Sequence, residues 1–273
     1  MKRDDNAIID DDVVKVGKEE EEEVKVDEAL ANIEGWIPKT KVGAKVKAKE
    51  ISSLSEILDN GIKINESQIV DALVPGLEME LLLLGQSKGK FGGGKRRAFR
   101  QTQKKTKEGN KPKFSTVAVV GNKNGLVGVG FGKSRETVPA REKAVRQAKL
   151  NIIKIARGCG SWQCGCRKPH TLPFEVKGKC GSVLVALKPA PKGAGLVAES
   201  EIAKILKMAG VIDVWSKVRG KTKTRANLIK ACFEALKKTA STHVLLSNKE
   251  KIGIVEGEHK TIEPAEVVEV KNE

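Results

Sequence analysis

Aromatic side chains are scarce in this sequence, which has no tyrosine, three tryptophans and six phenylalanines among 273 residues. A surface that stacks a series of unpaired bases on aromatic rings is therefore not expected. No stretch reaches the roughly 20 apolar residues of a membrane span, and the N-terminus lacks the apolar core of a secretory signal. These absences favour a cytoplasmic protein that does not contact membranes and whose five cysteines stay reduced.

Acidic side chains are sparse in the middle of the chain, because they are concentrated at its two ends. The net charge is +16, yet residues 1–34 carry −8 and residues 249–273 carry −3, which leaves +27 for the part between them. A folded body with that charge repels itself unless a polyanion neutralises it. The composition thus predicts a nucleic-acid partner, and the lack of aromatics favours contact with phosphates and with the shape of folded RNA.

Composition and periodicity divide the chain into six predicted segments. Two of them, residues 77–157 and 172–243, carry the regular apolar patterns of folded domains. Before them, capping-box patterns at Ser53 and Asn65 predict two short helices. The remaining segments are an acidic disordered tail at 1–33, a short helical extension at 34–76, a cysteine-rich connector at 158–171 and an acidic tail at 244–273.

The first domain is predicted to be an α+β unit with a three-stranded sheet and one helix. A strand at Leu81–Leu84 precedes two apolar runs, Phe114–Val120 and Leu126–Phe131, which flank the Gly/Asn cluster of a β-hairpin. The helix that follows has an apolar stripe at Ala144, Ala148, Ile152 and Ile155. Its other faces carry basic side chains, which suits a surface that holds RNA.

The second domain alternates predicted strands and helices. Strands are expected at Leu172–Val176, Ser182–Leu187 and Val211–Val218, and the first two are joined by a predicted turn at Lys177–Gly181. Pro189–Gly195 must also be a turn, because proline and glycine break helices. Two helices have apolar stripes at Ile202, Ile205, Leu206 and Ala209, and at Leu228, Ala231, Cys232, Ala235 and Leu236. The pattern indicates an α/β domain.

Glycine and basic residues dominate residues 88–113, which contain eleven basic side chains and one acidic side chain. We expect a mobile loop that binds phosphate, with a solvated linker as the alternative. Lys133 and Arg135 lie at the predicted start of a helix, where free N–H groups favour an anion. The predicted RNA-binding side chains are Lys88, Lys90, Lys95, Arg96, Arg97, Arg100, Lys104, Lys105, Lys133, Arg135, Arg157, Lys168, Lys192, Arg219, Lys221, Lys223 and Arg225.

The glycines of Gly128–Ser134 are reminiscent of a nucleotide-binding P-loop. That motif requires a glycine five residues before Gly132, and position 127 is valine. The spacing of the dinucleotide fingerprint is also incomplete. The glycines are therefore predicted to relieve crowding in a strand. An RNA phosphate is the expected ligand near Lys133, and a nucleotide bound by an NTPase is the alternative.

Three cysteines and a histidine supply a candidate zinc site in the connector. Cys159, Cys164, Cys166 and His170 offer four ligands within twelve residues, and the intervening glycines allow a loop to wrap a metal. Their spacing is not a common zinc-finger pattern, so the alternative is a reduced, glycine-rich connector. The deaminase signature is absent, since no H-x-E motif is paired with P-C-x-x-C.

Three long stretches resemble ribosomal protein five of the small subunit. They are Phe114–Arg157, the run from Gly178 to Gly220, and the helix TRANLIKACFEAL from Thr224 to Leu236. The opening WIPKTKVG at Trp36–Gly43 and the cysteine-rich connector resemble the archaeal branch of this family. The resemblance extends over residues 35–240.

This resemblance implies an N-terminal domain like those that bind double-stranded RNA and a C-terminal domain of the left-handed β-α-β type. It also implies binding to small-subunit ribosomal RNA near the decoding region and the mRNA entry channel, in support of translational accuracy. Proteins four and eight of that subunit would be partners. No catalysis and no required cofactor are expected, and zinc would be a lineage-specific staple. The alternatives are a double-stranded-RNA-binding protein outside the ribosome and a zinc-dependent RNA-modifying enzyme.

Overall fold

The computed structural model describes residues 35–85 and 96–257. The predicted acidic tail at 1–33 lies outside these ranges, as do Lys88, Lys90 and Lys95. Across the described ranges, no helix is both long enough and apolar enough to cross a bilayer.

The N-terminal extension contains three short helices where the sequence predicted two. They are α1 (Lys41–Lys47), α2 (Leu54–Asp59) and α3 (Ser67–Leu73). Ser53 caps α2 as predicted, because its hydroxyl accepts a hydrogen bond from the Ser55 backbone N–H at 3.2 Å. The predicted cap at Asn65 is wrong, since Glu66 is the N-cap residue of α3.

The Glu66 carboxylate holds the extension together instead of capping α3. It accepts hydrogen bonds from the Trp36 indole N–H at 2.9 Å and from the Lys39 and Thr40 backbone N–H groups at 3.0 and 2.7 Å. Burial favours the neutral form, but these donors outweigh it and lower the pKa of Glu66. The segment before α1 is thereby fixed against α3.

The described residues of the first domain contain a five-stranded antiparallel sheet, larger than the three strands expected. Its path is β1 (Glu78–Leu82), β3 (Gly109–Gly121), β4 (Leu126–Ser134) and β5 (Ile152–Lys154), and β2 (Arg100–Thr106) pairs with the outer part of β3. The three predicted strands are present as β1, β3 and β4. The first begins three residues earlier than predicted, since Glu78–Glu80 pair with β3.

The expected mobile loop at 88–113 is wrong for its described part from Arg100 onward, which forms a β-hairpin. Strands β2 and β3 run in register from the Arg100–Ser115 pair to the Thr106–Gly109 pair. The two strands are almost entirely solvent-exposed as far as Lys113. Without a buried face there is no alternation of apolar and polar residues, which is the sequence pattern that identifies strands.

Helix α4 (Thr137–Leu150) is shorter than its predicted apolar stripe. Ala144 and Ala148 are buried on it as expected, but the helix ends before Ile152 and Ile155. The chain turns at Asn151, so Ile152 enters β5 and packs with the extension. Ile155 joins the main core. The helical spacing of apolar residues thus continues beyond the end of α4 into residues that are not helical.

Glycines in β4 allow α4 to approach the sheet closely. A Cβ atom at Gly130 would lie 2.1 Å from the carbonyl oxygen of Ala144 and 2.2 Å from the backbone nitrogen of Ala148. A Cβ atom at Gly128 would lie 2.3 Å from the Ala148 carbonyl oxygen, and one at Gly132 would lie 2.0 Å from the Ala140 carbonyl oxygen. The glycines therefore serve helix–sheet packing, as predicted, and their geometry does not suit a phosphate loop.

The second domain has a four-stranded sheet covered by a long helix. The strand order is β7 (Val176–Cys180), β8 (Val183–Pro189), β10 (Val214–Arg219) and β9 (Leu196–Val197). Strands β9 and β10 are parallel and are joined through α5 (Ser200–Met208), which forms the expected β-α-β unit. Helix α6 (Arg225–Ser241) packs on β7 and β8. Both predicted apolar stripes are buried.

Two strand predictions in this domain are displaced along the chain. The expected strand at Leu172–Val176 begins only at Val176, and the expected one at Val211–Val218 begins at Val214. Gly178, predicted to lie in a turn, is inside β7, where a Cβ would meet the Ala231 carbonyl oxygen at 2.0 Å. Gly178 does not form a turn, because its lack of a side chain allows α6 to pack closely on β7.

The predicted acidic tail at 244–273 is wrong for its first part. Helix α7 (Leu246–Ile252) and strand β11 (Val255–Glu256) are ordered, and β11 pairs with β6 (Ala156–Arg157). The Ile252 carbonyl also accepts a hydrogen bond from the Cys159 N–H at 2.9 Å. The excess of acidic residues lies in 258–273, whereas residues 244–257 carry two lysines and two glutamates and fold because they pack on the connector.

The two domains share one apolar core. Val117 and Val129 of the first sheet contact the same cluster as Ile205 and Leu206 of α5. Glu201, fully buried on α5, crosses the boundary by accepting a hydrogen bond from the Leu83 N–H at 2.8 Å. The domains are thus held in a fixed relation.

We expect Gly130→Ala to lower the free energy of unfolding by about 3 kcal/mol or more, because α4 must move away from the sheet. Urea denaturation measures the change. Gly76→Ala is the matched control: no atom lies within 4 Å of its Cβ position, so its effect should stay within about 0.5 kcal/mol. Equal stability of the two variants would contradict the packing role of Gly130.

Candidate nucleic-acid interface and metal cluster

The start of α4 lies beside a basic open groove of about 550 Å³. Lys133 and Arg135 are exposed there, as predicted, and the N-cap residue Glu136 makes no side-chain hydrogen bond to the helix start. Backbone N–H groups at a helix start and nearby cations together attract phosphate. The full lining is Lys113, Lys133, Ser134, Arg135, Glu136, Pro139 and Lys143.

The hairpin of β2 and β3 carries cations on an exposed ribbon. Lys104 lies directly opposite Lys111 in the register, and both side chains are exposed. Like charges at opposed positions destabilise a strand pair, and Glu108 compensates only one of them through its 2.6 Å contact with Lys111. The arrangement favours an external polyanion along this ribbon.

Further predicted cations are exposed on the second domain and near the connector. Arg219, Lys221 and Lys223 lie between β10 and α6, and Lys192 lies in the turn after β8. Their exposure is compatible with phosphate contact. The described and exposed members of the predicted RNA-binding set are Arg97, Arg100, Lys104, Lys105, Lys133, Arg135, Lys168, Lys192, Arg219, Lys221 and Lys223, and Arg96 is half-buried.

Arg157 was wrongly predicted to bind RNA, because its guanidinium is buried. It donates to Asn124 Oδ1 at 2.7 Å and to the carbonyl oxygens of Gly210 and Gly257 at 3.3 Å each. Burial lowers the pKa of Arg157 from its ordinary value. Its role is to join the β3–β4 turn of the first domain to the end of α5 in the second domain and to the C-terminal segment.

Arg225, also predicted to contact RNA, is committed to ion pairs within the protein. Its guanidinium contacts the Glu199 carboxylate at 3.0 Å and the Glu201 carboxylate at 3.3 Å, and its side chain is only 17% exposed. Because Glu201 is fully buried, Arg225 provides its counter-charge. It supports the domain boundary.

Four cations at the groove and the hairpin are absent from the predicted set. Lys107 lies in the turn between β2 and β3, Lys111 and Lys113 lie two residues apart on β3, and Lys143 lies in the second turn of α4. Their sequence signal was the run of lysines in 88–113 and the position of Lys143 in the predicted helix. Recognising them required the strand register.

The structure brings all four candidate metal ligands together. The Sγ atoms of Cys159, Cys164 and Cys166 and a ring nitrogen of His170 all lie within 4.8 Å of one another. A tetrahedral zinc ion places such atoms about 3.5–3.8 Å apart, and Cys164 Sγ is 3.8 Å from His170 Nε2. Arg167, with φ of 56°, turns the chain between the last cysteine and the histidine. The donor set therefore fits zinc.

A second ring of contacts orients His170. Its Nδ1 lies 2.7 Å from Asp213 Oδ2, so Nδ1–H donates a hydrogen bond to the carboxylate and Nε2 is left facing the cysteines. Asp213 Oδ1 also accepts hydrogen bonds from the Gly193 and Gly195 N–H groups at 3.1 and 2.8 Å. No sequence signal identified Asp213, which is distant from the connector along the chain.

Two of the cysteine thiols differ in their acidity. Backbone N–H groups of Lys192 and Cys166 donate to the Cys164 sulfur and lower the pKa of that thiol to about 6. Burial raises the pKa of Cys159 to about 11. Cys180 and Cys232 lie elsewhere, and Cys232 is a buried packing residue as expected.

Comparison with known proteins agrees with the domain order. Residues 97–156 match the family described as ribosomal protein S5, N-terminal domain, and residues 178–249 match its C-terminal domain. The chain is 52% identical over 215 residues to small ribosomal subunit protein uS5 of Nanoarchaeum equitans, which covers 79% of this chain and 92% of that protein. The chain belongs to the ribosomal protein S5 family.

Other archaeal members of the S5 family are similar over comparable lengths. The protein uS5 of Methanocaldococcus jannaschii is 46% identical over 226 residues, or 83% of this chain and 97% of that one. That of Staphylothermus marinus is 47% identical over 207 residues, or 76% and 90%. The metal cluster lies between the two matched S5 domains, in the connector of residues 158–171.

Substitution should separate internal from external cations of this S5 chain. Arg157→Met is expected to lower the free energy of unfolding by about 2–3 kcal/mol, because it leaves buried acceptors unpaired, without changing the salt dependence of RNA binding. Lys133→Met should leave stability within about 0.5 kcal/mol and make the log–log salt slope shallower by about 0.7–0.9. Denaturation and filter binding measure both quantities. The reverse pattern would refute the assignment.

Proposed function

We propose that this chain is a structural constituent of the small ribosomal subunit that holds ribosomal RNA near the decoding region and the mRNA entry channel of cytoplasmic ribosomes. It supports translational accuracy by fixing RNA helices and performs no catalysis. The observation that carries this proposal is the exposed basic surface formed by the β2–β3 hairpin and the groove at α4, on a member of the S5 family.

Phosphates are the main contacts in this mechanism. An anion between the opposed lysines Lys104 and Lys111 reduces their repulsion and so stabilises the hairpin. The start of α4 offers backbone N–H groups to a second phosphate. Neighbouring phosphates of one RNA helix can contact both the hairpin and the start of α4. Such contacts recognise the shape of the RNA helix more than its sequence. Proteins four and eight of the small subunit are proposed neighbours.

A double-stranded-RNA-binding protein outside the ribosome is the second candidate, since the same basic surface would serve it. A sucrose gradient of cell lysate separates the two. We expect the chain to migrate with the small subunit in equal amount up to high salt. Migration at the top of the gradient at low salt would contradict the ribosomal role.

Neutralising the hairpin should weaken RNA binding through charge alone. For the unaltered chain, about ten neutralised phosphates would give a log–log salt slope of roughly −7 to −9. The triple variant Lys104→Gln/Lys105→Gln/Lys111→Gln should make the slope shallower by about 2–3 without loss of fold. Filter binding to small-subunit RNA measures the slope.

The matched control removes the same charge from exposed lysines of the N-terminal extension, as Lys41→Gln/Lys45→Gln/Lys63→Gln. Its slope should remain within one unit of the unaltered protein. An equal change in both triple variants would show that binding depends on net charge and not on the hairpin. A slope shallower than about −3 for the unaltered chain would exclude the phosphate mechanism.

We further propose that Cys159, Cys164, Cys166 and His170 hold a structural zinc ion, with Asp213 orienting the histidine. Four protein ligands close the coordination sphere, so the site offers no open position for a reacting water, and the modifying-enzyme alternative is disfavoured. The ion would fix the connector between the two domains.

Metal analysis tests this site. The purified chain should contain about one equivalent of zinc, and cobalt substitution should give the absorption of a tetrahedral thiolate site. Cys164→Ser/Cys166→Ser should lose the metal and lower the melting temperature. Cys180→Ser is the control and should keep both, since Cys180 lies outside the cluster. A zinc-free chain with normal stability would exclude the site.

A further inference from the structure

Trp162 is the most exposed large apolar side chain in the part of the chain that the structure describes, at 89%. It lies in the connector between two candidate metal ligands, Cys159 and Cys164. Exposing so large an apolar ring to water is unfavourable, and an isolated tryptophan in a short loop has no packing role. A ring held in this position is suited to contact a partner.

The backbone beneath Trp162 is firmly held. The Cys164 N–H donates to the Ser161 carbonyl at 3.2 Å, which closes a tight turn with Trp162 at its second position. The Cys159 thiol contacts the Cys164 carbonyl at 3.0 Å, and the Gly160 N–H donates to Leu172 at 3.2 Å. The ring is thus presented by a fixed base, which lowers the entropy cost of binding.

The surroundings of Trp162 are cationic. No acidic residue occurs between Arg157 and Glu175 in the sequence, and Arg167 and Lys168 are exposed. The Gly193 N–H donates to Asp213 Oδ1 at 3.1 Å, and the other oxygen of that carboxylate contacts His170, so the exposed turn that carries Lys192 lies beside the connector. An aromatic ring among cations is the combination that binds a base together with its flanking phosphates.

We propose that Trp162 stacks on an unpaired base of the bound RNA, while Arg167, Lys168 and Lys192 contact the adjacent phosphates. This proposal rests on the proposed RNA-binding function and adds a single-stranded contact to it. The candidate metal site has a defined part in it, since its ligands lie on both sides of the turn that carries the ring. The scarcity of aromatics excludes a stacking surface, but one fixed ring is sufficient for one base.

The test compares full-length variants on two probes, a ten-nucleotide oligoadenylate and a perfect 20-base-pair RNA duplex. Trp162→Ala should weaken oligoadenylate binding about 5- to 150-fold and change duplex binding less than twofold. Trp162→Phe should retain most of the affinity, because phenylalanine also stacks. Trp215→Phe is the control, because Trp215 lies in β10, away from the connector.

Fluorescence gives an independent readout that a merely structural role would not change. In the Trp36→Phe/Trp215→Phe variant, Trp162 is the sole tryptophan, and oligoadenylate should quench its emission whereas the duplex should not. Thermal melting confirms that each variant is folded.

Equal oligoadenylate affinity of Trp162→Ala and the unaltered chain, or no quenching, would overturn the proposal. Release of Trp162→Ala from the small subunit with unchanged oligoadenylate binding would assign the ring to a protein partner and would also overturn it. Failure of the proposed function looks different. In that case the unaltered chain fails to bind the duplex and to migrate with the small subunit, whatever residue occupies position 162.

Discussion

Mutual repulsion among the basic side chains constrains this structure more than any single contact. The middle of the chain carries +27, and the few acids retained there are largely used to hold the fold. Glu66 ties the extension together, Glu201 crosses the domain boundary with Arg225 as its counter-charge, and Asp213 orients His170. Because these carboxylates are drawn into internal contacts, the outer surface keeps its cations for RNA.

Elements with a buried face could be predicted from the sequence, and elements without one could not. Helices α5 and α6 were located by apolar stripes that the shared core requires. The β2–β3 hairpin has no buried face and therefore no alternation, so its lysines were read as a loop. Glycine also misled the prediction of a turn at Gly178, because this residue lies inside β7 and allows α6 to approach the strand.

Which cations face outward could be predicted only in part. Lys133 and Arg135 were correctly placed at the start of a helix by local pattern alone. Arg157 and Arg225 look the same in sequence, yet their partners are brought near only by the fold. Asn124 and Gly257 surround one of them, and Glu199 and Glu201 pair with the other. A charge pattern gives the number of cations, and tertiary contacts decide which of them remain free.

The connector shows how a short irregular segment acquires a defined shape. Four candidate metal ligands converge inside it, and its backbone is bound from outside by Leu172 and by the C-terminal helix α7 through Ile252. Gly253, in a left-handed conformation, lets that helix end directly against the Arg167 carbonyl. The same carboxylate of Asp213 reaches both His170 and the turn that carries Lys192, so it connects the candidate metal ligands to a segment with an exposed cation. The connector therefore joins the interior of the protein to its exposed basic surface.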